Sequence, residues 1–360
     1  MNIIIQPGYR SNTTLKRILS GIRDFSNRQL NIVSSEDGIQ NGEKATVVIS
    51  IDNTWEEQIC KNLSEKNIHP ITVFPSEDAS TLPYTCITSD FFLSAKNLTS
   101  LLIPHTKKGI AFAGLNTSSS SDGVKLNGFK SALSASGREF NPDYVFKSDN
   151  DILKCVENVI AKKDEFDTVI CANDITAITL SANLENPFDY NITGFSGMLC
   201  TRYTNPKITT VGTDYYSIGR AVLEAYNAVC KSDFISKRIY YVKSELILGE
   251  TTPNLKSESL YSTQISTVQN FEKLRIYDDE VFTELDKIEI LLQHADETDI
   301  KILKMLMSGK KYEEISAELF LSVSPLKYRI GKMLKLTDLK YKNSLVNLLE
   351  KYNVFKPQKT

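Results

Sequence analysis

From residue 1 to about 250, short apolar, β-branched runs alternate with loops and with amphipathic stretches of helical period. Asn2 to Ile5, Ala45 to Ile51, Pro70 to Phe74, Gly109 to Ala113, Thr168 to Ala172 and Ile192 to Phe195 read as strands. Thr14 to Phe25, Trp55 to Lys66, Val124 to Ala135 and Ile152 to Ala161 read as the crossover helices between them. Strands that alternate with helices predict parallel sheets with helices on both faces, a doubly wound α/β class. So many runs would make an unusually wide single sheet, so we expect two similar lobes facing a cleft. Beyond Gly249 to Asn254 the pattern stops. A polar Ser/Thr-rich stretch runs to Thr267, followed by a helix over Asp278 to Ala295 with Val281, Leu285, Ile288, Leu292 and Ala295 at helical spacing. The expected division is 1–255 for the two-lobed unit, 256–295 for the linker and connecting helix, and 296–360 for a small all-α domain.

Four short helices follow Asp296. The first starts near Thr298 as N-cap and stops at Gly309, a residue suited to the position just past a helix end. The second covers about Lys311 to Phe320, and after Leu321-Ser322-Val323 the pair Ser324-Pro325 supplies an N-cap and first-turn residue for a third. The last covers Asn343 to Tyr352. On the third helix Leu326, Ile330, Met333 and Leu334 share one face, leaving Tyr328, Gly331, Lys332 and Lys335 opposite, flanked by Lys327 and Arg329. Cationic groups donate to phosphates and guanine edges, and an aromatic packs on a thymine methyl or a sugar. Gly331 costs about 1 kcal/mol relative to Ala mid-helix. Its presence fits either close approach of a DNA backbone or a tolerant surface position.

Charge sharpens this reading. The formal net charge of −2 conceals a division: residues 276–299 carry nine Asp/Glu against one Lys, whereas residues 300–360 carry thirteen Lys/Arg against five Asp/Glu, a net of +8. A basic terminal domain is the electrostatic footprint of a nucleic-acid binder, with a solvated basic surface as the alternative. Six cysteines without a C-x-x-C pair argue against a zinc ribbon or disulfide framework and read as buried thiols. The start of the chain carries no basic leader and only a short apolar run, so we expect the cytoplasm.

In doubly wound folds, ligands gather at the C-terminal ends of strands. That rule nominates Gln6 to Thr13, which contains Ser11 and Asn12, then Gly114 to Gly123, which contains Asp122, and then Asn173-Asp174 and Ser196-Gly197. Their amides, hydroxyls and carboxylates suit a polar small molecule. Asp174 serves equally well as a helix cap, and Ser118 to Ser121 reads as a loop more than as a site.

Two resemblances extend these readings. Ile302 to Gly309, followed by Tyr312 to Ser322, resembles the effector domain of the LuxR/NarL family of bacterial regulators, carried by the spacing from Gly309 to Glu314 to Ser322. The likeness implies a helix-turn-helix in which Lys327, Tyr328, Gly331 and Lys332 occupy DNA-facing positions, and with Ser324, Arg329 and Lys335 from the helix reading these make up the expected DNA-binding set. Pro325 stands where the family usually has a phosphate-contacting Thr. Gly109 to Gly114 with Asp122 to Leu133, Val169 to Asp174, Ile192 to Phe195, and Ile208 to Val211 with Gly219 together resemble the sensor of the lac-repressor (LacI/GalR) family, a periplasmic-binding-protein-like fold, across residues 1–255. That likeness implies Asn173 as a ligand contact. Lys125 stands where the family has Arg and Ser196 where an Asp commonly holds a sugar hydroxyl. Lys125 pairs either with an anionic ligand group or with solvent. The helix-turn-helix of lac-repressor relatives precedes the sensor, so their hinge-helix mechanism is not carried over.

The expected function is a homodimeric, ligand-responsive transcription regulator, its effector a sugar-like or anionic metabolite, without metal or cofactor. The alternative is a sensor whose helical domain binds a protein partner. Catalysis is disfavoured: His69, His105 and His294 lie outside the strand-end loops, and no G-x-x-x-x-G-K-[ST], G-x-S-x-G or H-E-x-x-H occurs. A phosphorylated receiver, suggested by Asp52 after a strand, is disfavoured because the unit is about twice a receiver's length; Asp52 reads as a cleft or capping residue. A transport receptor shares the two-lobed fold but needs a signal peptide.

Overall fold

In the computed structural model, the residues described are 1–7, 13–39, 42–50, 52–75, 79, 81–117, 119–149, 151–231, 237–255 and 279–356. In chain order the elements are β1 (Asn2–Ile5), α1 (Thr13–Phe25), β2 (Asn31–Val33), β3 (Ala45–Ile49), α2 (Asn53–Glu65), β4 (His69–Val73), β5 (Thr85–Ser89), α3 (Phe91–Leu102), β6 (Gly109–Leu115), α4 (Ser120–Ala135), β7 (Val145–Lys147) and α5 (Ile152–Ala161). They continue with β8 (Phe166–Cys171), α6 (Asp174–Asn183), β9 (Asn191–Ser196), β10 (Thr209–Thr213), α7 (Tyr215–Lys231), β11 (Ile239–Val242), β12 (Ser244–Ile247), α8 (Glu280–His294), α9 (Glu297–Met307), α10 (Tyr312–Glu318), α11 (Val323–Thr337) and α12 (Lys342–Lys351).

The strands form two sheets of six, ordered β2-β1-β3-β4-β5-β11 and β7-β6-β8-β9-β10-β12. All pairings are parallel except β10 with β12. Each sheet is the doubly wound lobe expected from the alternation, and the chain crosses between lobes after β5, after β10 and after β11. The continuous apolar strands follow from burial on both faces. In lobe 1, Ile3, Val47 and Ile71 face α1 and α7, while Ile4 and Val48 face Ile59 and Leu63 of α2. The α1–α7 contact is backbone-close, since a Cβ on Gly219 would stand 2.1 Å from the Ile18 carbonyl oxygen.

In lobe 2, Phe112, Ile170 and Phe195 pack on α3 and α4. The opposite face, with Val169 and Cys171, shares one apolar core with α5, α6 and the helical region α8 to α12. The connecting helix therefore buries Val281, Leu285, Ile288 and Leu292 within its own chain. The polar stretch before it lies outside the described residues.

Two helix starts differ from expectation. Helix α9 is capped by Asp296, in a reciprocal capping box with Asp299, and not by Thr298. Helix α11 starts at Val323 with Ser322 at its N-cap, which puts Ser324 and Pro325 in the first turn. A carboxylate accepts from a free helix-end amide at least as well as a hydroxyl, so Asp296 prevails. The stop at Gly309 is as expected: φ is 78°, and Gly309 and Lys310 amides return to Leu306 and Met305 carbonyls.

Candidate functional site

Between the lobes lies a cavity of about 490 Å³ at the C-terminal ends of β4, β5 and β11, roofed by the start of α4. Its walls are Phe74, Phe91, Phe92 and Tyr241 rings with polar groups from Ser89, Asp90, Ser121 and Asn127. Phe74 meets Phe91 in a tilted contact at 5.7 Å and Tyr215 edge-on at 5.9 Å. Asp90 is tied to the first turn of α3, its Oδ1 accepting from the Leu93 amide at 2.8 Å. Aromatic faces rimmed by a few oriented polar groups bind small polar ligands with a flat apolar side.

This cavity lies at the C-terminal ends of strands, where the strand-end rule looks for ligands. Among the described residues of the four nominated loops, however, only Ser121, in Gly114 to Gly123, lines this cavity. The missed residues lie at the ends of β5 and β11 and in the start of α3. Their signal was Cys86-Ile87-Thr88-Ser89-Asp90, a strand obscured by its hydroxyl side chains, and for β11 a pairing made only by long-range folding.

Lys125 is neither solvated nor open to a ligand. It is 6% exposed, its Nζ donating to Asp122 Oδ1 at 2.9 Å and to the Ala172 carbonyl at 2.8 Å, with the Phe91 and Phe195 ring centroids at 5.1 and 5.4 Å. Asp122 also accepts from the Asn116 amide. The two expected ligand contacts therefore form a buried pair behind Phe91, because an unpaired charge there would be costly.

Asn173, and not Asp174, caps α6: its Oδ1 accepts from the Thr176 amide at 2.8 Å. Asp174 is fully buried, accepting from Thr210 Oγ1 at 2.5 Å and the Met198 amide at 2.8 Å, which removes it from the cleft surface. Burial pushes its carboxyl up to about 6, against the opposing pull of those donors. Ser196 ends β9 with φ at 131°, an unusual value outside glycine that marks the turn into the cleft-side loop. Ser11 and Asn12 lie outside the described residues. Asp52 caps α2, accepting from the Trp55 amide at 2.7 Å.

A second surface lies on α11. Leu326, Ile330 and Met333 are buried, while Ser324, Lys327, Tyr328, Gly331, Lys332 and Lys335 are exposed, Tyr328 at 76%. Arg329 departs from this set: its Nη1 donates to Asp296 at 2.8 Å and to Asp299 at 2.7 Å, binding α11 to the start of α9. Two carboxylates brought together by the capping box outcompete solvent for the guanidinium. Just past the end of α10, Phe320 takes a left-handed φ of 53° and is 96% exposed.

Among the described residues, no helix is long and apolar enough to cross a membrane. Residues 18–192 match the family model described as periplasmic binding proteins and sugar binding domain of the LacI family. The HTH-type transcriptional regulator RegA of Clostridium saccharobutylicum is 24% identical over 214 residues, 57% of this chain and 64% of that protein. The HTH-type transcriptional repressor PurR of Aliivibrio salmonicida (strain LFI1238) is 24% identical over 159 residues, 42% of this chain and 47% of that protein. The chain thus spans between about half and two-thirds of these curated relatives. A LacI family transcriptional regulator from Enterococcus faecium with bound ribose superimposes with a TM-score of 0.57 at 16% identity, covering 71% of this chain and 100% of that one. The two-lobed unit has the periplasmic-binding-protein-like fold, and α8 to α12 follow the matched segment.

Proposed function

We propose that this chain is a transcription regulator that binds DNA through a helix-turn-helix formed by α10 and α11 and responds to a small polar molecule held between its lobes. The observation that carries the reading is the exposed face of α11, where Lys327, Tyr328, Lys332 and Lys335 stand clear while the apolar face is buried. Such a helix offers donors for phosphates and base edges on a fixed scaffold. The active form is a homodimer that sets two such helices on a palindromic site. Capture from fragmented genomic DNA of its source tests this. The full-length protein selects a few fragments at physiological salt, and a Tyr328→Ala/Lys332→Ala variant loses them and shows a shallower salt dependence. Unselective capture by both proteins would turn the helical domain into a protein-docking module. Phe320, an aromatic side chain held out at a turn, is the feature that favours that second reading.

The effector is a neutral, carbohydrate-like molecule. Aromatic walls take the C–H face of a sugar ring, and Asp90, Ser89 and Asn127 meet hydroxyls. An anionic ligand is less suited, because the Lys125 charge is matched by Asp122. The sugar-binding description of the matched family and the ribose held by the Enterococcus faecium regulator point the same way. Neutral mono- and disaccharides are expected to raise the Tm of the full-length protein, since a ligand that binds only the folded state stabilises it, and sugar phosphates are not. The reverse selectivity would return Lys125 to the ligand.

A further inference from the structure

Helix α8 touches both lobes. On the lobe 2 side, the Glu289 carboxylate accepts from the Leu199 and Cys200 amides, at 3.0 Å each, and Asp174 takes the adjacent Met198 amide from the opposite side. The loop that leaves β9 and the cleft at Ser196 is thus held by two buried carboxylates, one of them carried by α8. Asp279, the N-cap of α8, also accepts from the Ile152 amide at the start of α5, at 3.0 Å. On the lobe 1 side, α8 meets α1, where Lys16 feels the charge of Asp286 and Arg17 that of Glu289. Burial holds the Lys16 ammonium below its ordinary pKa while Asp286 acts against that shift. Burial likewise raises Glu289, opposed by the two amides and by Arg17.

The C-terminal end of α8 leads directly onward. Ala295 is followed by Asp296, which caps α9 and, with Asp299, holds Arg329 of α11. One continuous set of contacts therefore runs from α1 of lobe 1, across α8, to the helix that presents the cationic face.

We infer that α8 is a strap between the lobes: opening or closing the cleft changes the contact of Lys16 and Arg17 with its acidic face, and α8 passes that change through Asp296, Asp299 and Arg329 to α11. This regulation rests on the reading of the cleft as a ligand site and α11 as a binding surface. The contact itself does not depend on DNA. Two-state coupling is reciprocal, so weakening the strap at its lobe 1 end loosens α8 in the absence of any ligand.

Hydrogen exchange on the full-length protein tests the strap, read over α8 with α2 as the remote control. Lys16→Glu and Asp286→Lys each speed exchange across α8 about two- to fivefold, the scale of one solvent-screened charge–charge attraction, and leave α2 unchanged. The charge-swapped double variant returns α8 to near the original rate, an interaction that independent sites do not show. Lys16→Gln, which keeps the side-chain stem, gives the same direction should Lys16→Glu disturb folding. An α8 rate unmoved by the Lys16 variants, or a swap that merely adds the two single effects, overturns the inference. Rescue by the swap without selective DNA capture leaves the strap standing and removes the DNA reading; capture without rescue does the opposite.

Discussion

Asp174 shows how one side chain can look like a ligand contact in sequence and be an internal brace in the fold. Its oxygens hold Thr210 and the Met198 amide, and a Cβ on the facing Gly194 would lie 2.3 Å from Oδ1. A folded-state pKa of about 6, against the ordinary aspartate value of 3.8, means that the native state keeps a proton which the unfolded chain releases earlier. The stabilising contribution is therefore complete below about pH 4 and is lost as pH rises through 6, on the order of 2–3 kcal/mol in all. Glu289, shifted the same way, adds to that slope. Denaturant unfolding between pH 4 and 7 should show Asp174→Asn with a flatter dependence than the parent. An unchanged slope would mean that Asp174 does not titrate in this window. Neighbouring positions explain why sequence could not separate these roles. Asn173 and Asp174 both suit an N-cap, and only the direction of the α6 axis decides which of them turns inward.

At the scale of the element, α11 is the clearest success of periodicity. The inward set of Leu326, Ile330 and Met333 and the outward set of Lys327, Tyr328, Lys332 and Lys335 fall where a 100° rotation per residue puts them. Arg329 falls between the two faces, and its direction depended on a capping box thirty residues upstream. Gly331 lies on the open side, where an added Cβ would meet nothing within 4 Å. Gly331→Ala is therefore expected to stabilise the helical domain by about 1 kcal/mol in thermal denaturation. If the glycine is there for close approach of a DNA backbone, the same variant also weakens capture of the selected fragments. Stabilisation with unchanged capture would make it a tolerant surface position. Strands β5 and β11 escaped notice for a different reason, since Thr and Ser blur an apolar run in the fully buried β5, and β11 is a half-buried edge strand with Tyr241 exposed.

For the whole molecule, lobe 2 and helices α8 to α12 share a single apolar core, so the helical region is not a detachable appendage. Residues 1–255 expressed alone should expose the face that α8 covers, bind a hydrophobic dye and unfold at a lower temperature than the full chain. An equally stable, dye-silent fragment would show that the shared core contributes little. The sequence by itself determined the α/β class, the two-lobed arrangement, the change of grammar near residue 255 and the two faces of α11. These are written in local periodicity and in charge along the chain. Only the tertiary structure decided that the Lys125 charge is matched within the protein, that Asn173 rather than Asp174 caps its helix, that the cavity is walled at the ends of β4, β5 and β11, and that the acidic helix packs across its own two-lobed unit. Each of those outcomes depends on which distant groups arrive beside a residue, and a buried charge or amide takes the partner that the fold brings to it.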